Sequence, residues 1–355
     1  MIDRRRFIQT LLASATGLAS SNVAVSAVTD SVPLANKLVI AHRGASGYLP
    51  EHSLEAKAMA YAQGADYLEQ DVVLSRDGQA MVLHDLTLDA VTDVAKKYPG
   101  RARQDGRFYV IDFDLQELNN LSMHERIDPR SGRSRFPDRF PQDRKPFRVH
   151  TLEQEIDLIQ GLNHSTGRTV GIYVELKDPL FHATNNMDVT DTVIHILHKY
   201  GYRTADDSAY IQCFDSLTLE KTHDQKLTGI PLVQLIGENR WWPDSQTDYD
   251  FLKTADGLNE IAKYASGIGP WYRQIYLGLN KDNVAEYSTL VRDAHKAGLA
   301  VHPYTLRADQ YPEEFSSFEE LLNAMLVMQK VDGVFTDHTD RVRHFIDQSK
   351  QLSEN

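Results

Sequence analysis

The chain has 355 residues, 41% of them apolar and 25% charged, which excludes an intrinsically disordered protein and leaves room for one long α/β domain. A formal net charge of −12 argues against a protein that coats nucleic-acid phosphates, though not against a small local phosphate site. A lone cysteine, Cys213, excludes an intramolecular disulfide and any zinc site that needs two thiolates.

Residues 1–27 read as an export signal. Arg4-Arg5-Arg6-Phe7-Ile8 makes a basic start, and Leu11, Leu12, Ala13, Ala15 and Leu18 continue it as an apolar stretch. Val25-Ser26-Ala27 supplies the small residues expected before a cleavage point. The Arg-Arg-x-Phe-Ile order is similar to a twin-arginine signal, and the stretch is too short and polar for a stable membrane span. A basic amphipathic helix of a cytosolic protein is the competing reading. With export, the destination is the periplasm of a Gram-negative bacterium.

From there to the C-terminus, residues 28–355 read as one domain. Short β-rich apolar runs lie at 38–41, 67–74, 80–83, 170–176, 209–214, 231–236, 267–270, 299–305 and 333–335, as buried parallel strands would. Helical spacing separates many of them, at 52–63, 151–162, 189–200, 283–297 and 318–330. Thr151-x-x-Gln154 fits a capping box at the start of the second. Alternating strands and helices predict a closed barrel, with a doubly wound open sheet as the alternative. Nine strand candidates exceed eight because Ser75-Arg76-Asp77-Gly78-Gln79 joins the second and third as a hairpin. The fold expected is therefore an irregular TIM (β/α)8 barrel with an inserted small subdomain after the third strand, at about residues 86–149. A gap of that length holds a subdomain or a lid.

In such a barrel, chemistry gathers at the C-terminal ends of the strands. Those ends carry His42-Arg43-Gly44, Glu69-Gln70-Asp71, His84-Asp85, Glu175-Leu176-Lys177, Gln212-Cys213-Phe214, His302-Pro303-Tyr304 and Thr336-Asp337. Glu69 and Asp71 lie two apart, so both face one side of a strand. Glu175 adds a third carboxylate from another strand. Three convergent carboxylates repel unless a cation sits among them, and oxygen ligands favour calcium or magnesium. His42 and His84 are candidates for proton transfer, and Arg43 and Lys177 for holding a phosphate. Gly44 and Gly47 suggest a loop whose backbone approaches a ligand. Trp271 or Tyr304 is a candidate wall of the substrate pocket, with Gln212 and Phe214 beside it. Trp241 and Trp242 read as packing residues. Asp337 reads equally as a group that orients the barrel mouth or as a helix N-cap.

The run from Ala41 to Glu51 resembles the opening of bacterial glycerophosphodiester phosphodiesterases. The stretch from Tyr61 to Asp71, Leu83-His84-Asp85, Gln212-Cys213-Phe214-Asp215 and His302-Pro303-Tyr304-Thr305 are similar to that family too. The likeness is to the periplasmic type and spans residues 38–346. It implies a TIM barrel that hydrolyses diesters such as glycerophosphocholine or glycerophosphoethanolamine to sn-glycerol 3-phosphate and an alcohol. It also implies a divalent ion, calcium in the periplasmic type and otherwise magnesium, on Glu69, Asp71 and Glu175. His42 and His84 match the acid–base pair, and Arg43 and Lys177 the phosphate-holding positions. Cys213 departs from the pattern, since many relatives have serine there. His338 stands where the pattern is usually apolar. The partner expected is the small-molecule diester, with a homodimer left open and neither nucleic acid nor a membrane anchor. Two rival readings remain: a related barrel enzyme acting on lysophospholipids or phosphoinositides, and a non-catalytic binding protein.

Overall fold

The computed structural model describes residues 34–144, 146–243 and 245–353, so the expected export signal lies outside the described residues. In chain order the strands are β1 Leu38–Ala41, β2 Tyr67–Leu74, β3 Ala80–Val82, β4 Ser122–Met123, β5 Phe147–Arg148, β6 Gly171–Leu176 and β7 Ala209–Cys213. They continue with β8 Leu232–Ile236, β9 Gly267–Pro270, β10 Tyr276–Leu279, β11 Ala285–Tyr287, β12 Ala300–Val301 and β13 Gly333–Thr336. Eight of these form a parallel sheet in the order β12-β9-β8-β7-β6-β2-β1-β13. The Phe335 N–H donates to the Pro303 carbonyl at 3.0 Å and the Leu306 N–H to the Phe335 carbonyl at 2.9 Å, which joins the last two strands and closes the circle. The expected barrel is the fold observed, and the open doubly wound sheet is excluded.

The ninth strand is β3, which pairs antiparallel with β2 as the Asp-Gly turn predicts. Its turn is pinned by the Ser75 hydroxyl donating to the Asp77 carboxylate at 2.6 Å, with Gly78 at φ +75. A hairpin at this point carries the chain away from the barrel and into the insertion. That insertion has its own core, in which Phe108, Phe113, Met123 and Phe147 pack on Val73 and Met81 of the hairpin.

Two of the expected helices end differently. The stretch 283–297 is helical only over Leu290–Lys296, because β11 takes its start. The cause is local: the Asn280 side chain accepts the N–H groups of Asp282 and Val284, and Asn283 sits at φ 58, so the chain turns into a hairpin. The stretch 318–330 begins as an α-helix, Phe318–Leu322, and widens into a π-helix over Asn323–Met328. The capping box at Thr151 is present and starts the helix Leu152–Thr166.

The strand period of two sorts side chains inward and outward. Ile40, Tyr173, Val233 and Phe335 fill the barrel interior, with Tyr67 and Tyr210 packed against them. Tyr173 and Tyr210 stack with ring centroids 4.7 Å apart. One step further along the same inward faces come Asp71, Glu175 and Gln212, placed level by the pairings Asp71 with Glu175 and Glu175 with Gln212. The barrel is thus plugged below and polar above. No helix among the described residues is long and apolar enough to cross a membrane.

Candidate active site

A cavity of about 320 Å³ opens at the C-terminal end of the barrel. His42, Arg43, Glu69, His84, Glu175, Gln212, Phe214, Trp271 and Tyr304 all line it. Asp71 and Lys177 do not: Asp71 is fully buried beneath, and Lys177 lines a neighbouring pocket.

Each side chain is held by a specific arrangement. Arg43 has φ 59, which turns its backbone N–H onto Glu69 Oε2 at 2.6 Å. Its guanidinium donates to Glu51 at 3.0 Å and lies 3.5 Å from Asp71. His42 Nδ1 is 2.7 Å from Asp337 Oδ1. Asp337 also accepts from Arg139 at 2.8 Å and Arg307 at 2.6 Å. Asp337 therefore orients the mouth of the barrel rather than capping a helix. His84 Nδ1 is 2.6 Å from Asp85, whose other oxygen accepts from Arg126 at 2.7 Å. Each histidine thus has a carboxylate behind one ring nitrogen, which sets the tautomer and leaves Nε2 for the cavity.

Burial, helped by the Arg43 charge, pushes His42 down to about 4 against the opposing pull of Asp337. Burial, with Arg43 and Lys177 adding to it, takes His84 to about 3. Both rings are neutral at pH 7, so either can accept a proton. A phosphodiester anion in the cavity opposes these shifts by adding negative charge beside the rings.

The carboxylates show what a cation would do here. Burial raises Glu69 well above the usual range, with Asp71 adding to it. Burial pushes Glu175 up to about 8, against the pull of Lys177 and with Asp71 adding. Burial opposes ionisation of Asp71 too, yet Lys177, His84 and His52 hold it well below the usual range. Asp71 Oδ1 is buried and has no hydrogen-bond partner among the described residues. That unsatisfied oxygen, amid carboxylates that repel one another, fits a divalent cation.

The compact group able to hold such an ion is His52, Glu69 and Asp71, with ligand atoms within 4.8 Å of one another. The sequence reading missed His52. It lies one residue beyond the Ala41–Glu51 motif, has φ 60, and places Nε2 2.8 Å from Asp71 Oδ2. Glu175 is outside that group, with Lys177 Nζ bonded to its Oε1 at 2.6 Å.

The sequence reading also missed Glu51, Arg126, Arg139 and Arg307, and the buried support under Glu69. There Lys57 donates to the Glu69 carbonyl and, at 2.7 Å, to Glu155. Glu155 is held in turn by His150 at 2.7 Å and Gln70 at 2.8 Å. In the sequence only Lys57 and Glu155 are flagged, as charges on the apolar side of a helical run.

The glycine reading needs correction. A Cβ on Gly44, at φ +86, would meet the Ala56 carbonyl carbon at 2.8 Å, and one on Gly47 would meet the His338 ring at 2.5 Å. Both glycines make room for protein, not for a ligand. His338, the departure noted at the barrel mouth, packs edge-on to Tyr48 with centroids 5.2 Å apart. Trp241 and Trp242 are half-exposed and line pockets instead of packing in the core. His302 lies in the barrel interior, where the Tyr173 hydroxyl meets its Nδ1 at 3.1 Å.

A model of the glycerophosphoryl diester phosphodiesterase family matches residues 42–341. The chain belongs to that family. A glycerophosphodiester phosphodiesterase of Haemophilus influenzae is 42% identical over 327 residues, covering 88% of this chain and 90% of its own. One from Treponema pallidum is 35% identical, covering 86% and 90%. A phosphodiesterase of Oleispira antarctica, solved in complex with the product sn-glycerol-3-phosphate, superposes with a TM-score of 0.56 at 21% identity, covering 87% of this chain and 96% of its own. That last likeness speaks for the fold. Within the family match lie all the cavity residues named above, from His42 to Tyr304.

Proposed function

We propose that the chain hydrolyses glycerophosphodiesters, such as glycerophosphocholine and glycerophosphoethanolamine, to sn-glycerol 3-phosphate and the free alcohol. The observation that carries this reading is the convergence of His42, His84, Arg43, Glu69 and Glu175 on one cavity, each histidine backed by a carboxylate. The relatives' names support the reaction class.

In this reading a divalent cation, calcium or magnesium, is held by Glu69, Asp71 and Glu175, with His52 beside Asp71. When bound it supplies a Lewis acid for the phosphate oxygens. The chain's own residues do the rest. Arg43 neutralises charge growing on the phosphate, and Lys177 does so from beside Glu175. One of His42 and His84, neutral, takes a proton from the attacking oxygen through Nε2; the other, having gained a proton on Nε2 from solvent as the phosphodiester anion binds beside it, gives that proton to the leaving alcohol oxygen. Trp271 and Tyr304 wall the cavity and exclude water from one side.

The deciding assay is release of sn-glycerol 3-phosphate from glycerophosphocholine by the purified chain, first with chelator and then with calcium or magnesium restored. Metal-restored turnover that vanishes in Glu175→Ala supports the reading. A folded protein with no turnover under any divalent ion refutes it. Export to the periplasm is part of the proposal and rests on the pattern from Arg4 to Ala27. A periplasmic fraction containing a chain that begins after residue 27, by mass spectrometry, checks it.

A further inference from the structure

The reactive cavity has a second arginine in its wall that the mechanism above does not use. Arg307 lines it together with His42, Tyr304 and Thr305. Its backbone is held against β13: the neighbouring Leu306 N–H donates to the Phe335 carbonyl at 2.9 Å, and Leu306 bridges to Thr336. Its side chain is 23% exposed. Nε donates to Asp337 Oδ2 at 2.6 Å, and the Phe136 ring of the insertion has its centre 5.9 Å from the guanidinium carbon. The terminal nitrogens Nη1 and Nη2 have no hydrogen-bond partner among the described residues. An arginine fixed through Nε and open at its two other nitrogens presents the planar fork that suits a phosphate.

Arg43 and Lys177 are placed differently. The Arg43 guanidinium donates to Glu51 at 3.0 Å and lies 3.5 Å from Asp71. Lys177 is tied to Glu175 at 2.6 Å, lies 3.8 Å from Asp71 and lines the neighbouring pocket. Both stand with the carboxylates. Around the closed barrel, Lys177 follows β6 and Arg307 comes after β12; β7, β8 and β9 separate them one way, and β2, β1 and β13 the other. Arg307 therefore meets the cavity from the opposite wall. A phosphate gripped only from the carboxylate side leaves a non-bridging oxygen without a partner where water is partly excluded, and charge grows on that oxygen as the diester becomes a dianionic product.

We infer that Arg307 binds the phosphate directly, its terminal nitrogens donating to a non-bridging oxygen from the wall opposite Lys177, and that it holds the product dianion in the same way. The inference rests on the hydrolase reading above. Asp337 then has two tasks: it steadies the His42 ring, and it aims the Arg307 fork through Nε. One loop after β12 thus adds a phosphate contact next to the histidine on β1, remote from the carboxylates that would hold the cation.

The test is calorimetric titration with sn-glycerol 3-phosphate in the presence of calcium, beside kcat and KM for glycerophosphocholine and a separate titration with calcium alone. Arg307→Met should weaken sn-glycerol 3-phosphate binding and raise KM, each about tenfold, with calcium affinity unchanged. Arg307→Lys, which keeps the charge, should recover most of that affinity. Arg307→Gln should repeat the loss and keeps the test decisive should the methionine variant misfold. Asp337→Asn breaks the same ion pair but leaves Arg307 in the cavity, so it should retain most of the parent's affinity for sn-glycerol 3-phosphate. A fall in kcat with phosphate affinity kept in the folded Arg307 variants makes Arg307 only a brace for Asp337 and overturns the inference. An equal loss of calcium affinity overturns it as well. If the parent turns over no diester with any divalent ion, the hydrolase reading has failed, and the site is judged separately by titration with inorganic phosphate. Binding that Arg307→Met weakens then supports the site, and no binding by the parent overturns it.

Discussion

Asp337 is an acid whose work is done through another residue. It accepts from His42, Arg139 and Arg307 at once, and those charges hold it well below the usual carboxylate range although burial alone would raise it. Asp337→Asn keeps the shape but loses the charge that steadies the His42 ring. Its kcat should fall about a hundredfold with KM little changed, and its acid limb should shift. A kcat within twofold of the parent refutes this role. His182 makes a different case. It is buried in the helix Pro179–Thr184, and neither ring nitrogen has a hydrogen-bond partner among the described residues. Burial lowers its pKa from 6.5 to about 4. The unfolded chain therefore binds the proton more readily, so stability present above pH 6.5 drains away as the pH falls towards 4. Thermal midpoints measured in chelator from pH 7 to 4 should decline less steeply in His182→Leu than in the parent. Identical slopes would count against it. The other buried histidines share this window, so only the difference between the two profiles belongs to His182.

Among the elements, the insertion does more than cover the barrel. Arg126 grips Glu51 through two bonds of 2.7 Å and Asp85 through a third of 2.7 Å. It thereby links the partner of Arg43 to the partner of His84. Arg139, from the same insertion, reaches Asp337, the partner of His42, and pairs with Asp309 at 2.7 Å. One inserted segment thus holds the acids behind both histidines. Arg126→Met leaves Glu51 and Asp85 without their shared cation in a largely dry place. It should cost about 3 kcal/mol of stability by urea titration and lower kcat more than it raises KM. Loss of stability with full kcat would mean that Arg126 only braces the fold. These arginines are scattered among many in residues 101–148, and nothing in their spacing marks them out, because the pairs they make span from 41 to nearly 200 residues.

For the whole molecule, the barrel floor carries the site. Phe335 is 1% exposed, packs against Tyr173 with centroids 5.0 Å apart, and closes the bottom of the reactive cavity. Phe335→Ala opens a void in the plug and should destabilise the protein by about 3–5 kcal/mol in urea unfolding. It should also raise KM by letting water beneath the substrate. A midpoint unchanged from the parent would show that the floor collapses to fill the gap.

The sequence by itself determined an α/β fold of buried parallel strands with one hairpin, because such strands need continuous apolar runs and an Asp-Gly turn favours a hairpin, while closure into a barrel rather than an open sheet was decided by the pairing of the last strands. It also placed Glu69 and Asp71 on one face of a strand, since a strand alternates its side chains whatever surrounds it. His42, His84 and Arg43 were legible as polar breaks at strand ends. The tertiary structure alone decided that Asp337 serves His42 rather than a helix, that His52 comes beside Glu69 and Asp71 in a compact group able to hold a cation, and that Gly44 and Gly47 yield to protein neighbours. Each of these depends on contacts between segments far apart in the chain. Local pattern carries the conformation of a strand or turn, but not the partner a charged side chain meets once the barrel closes.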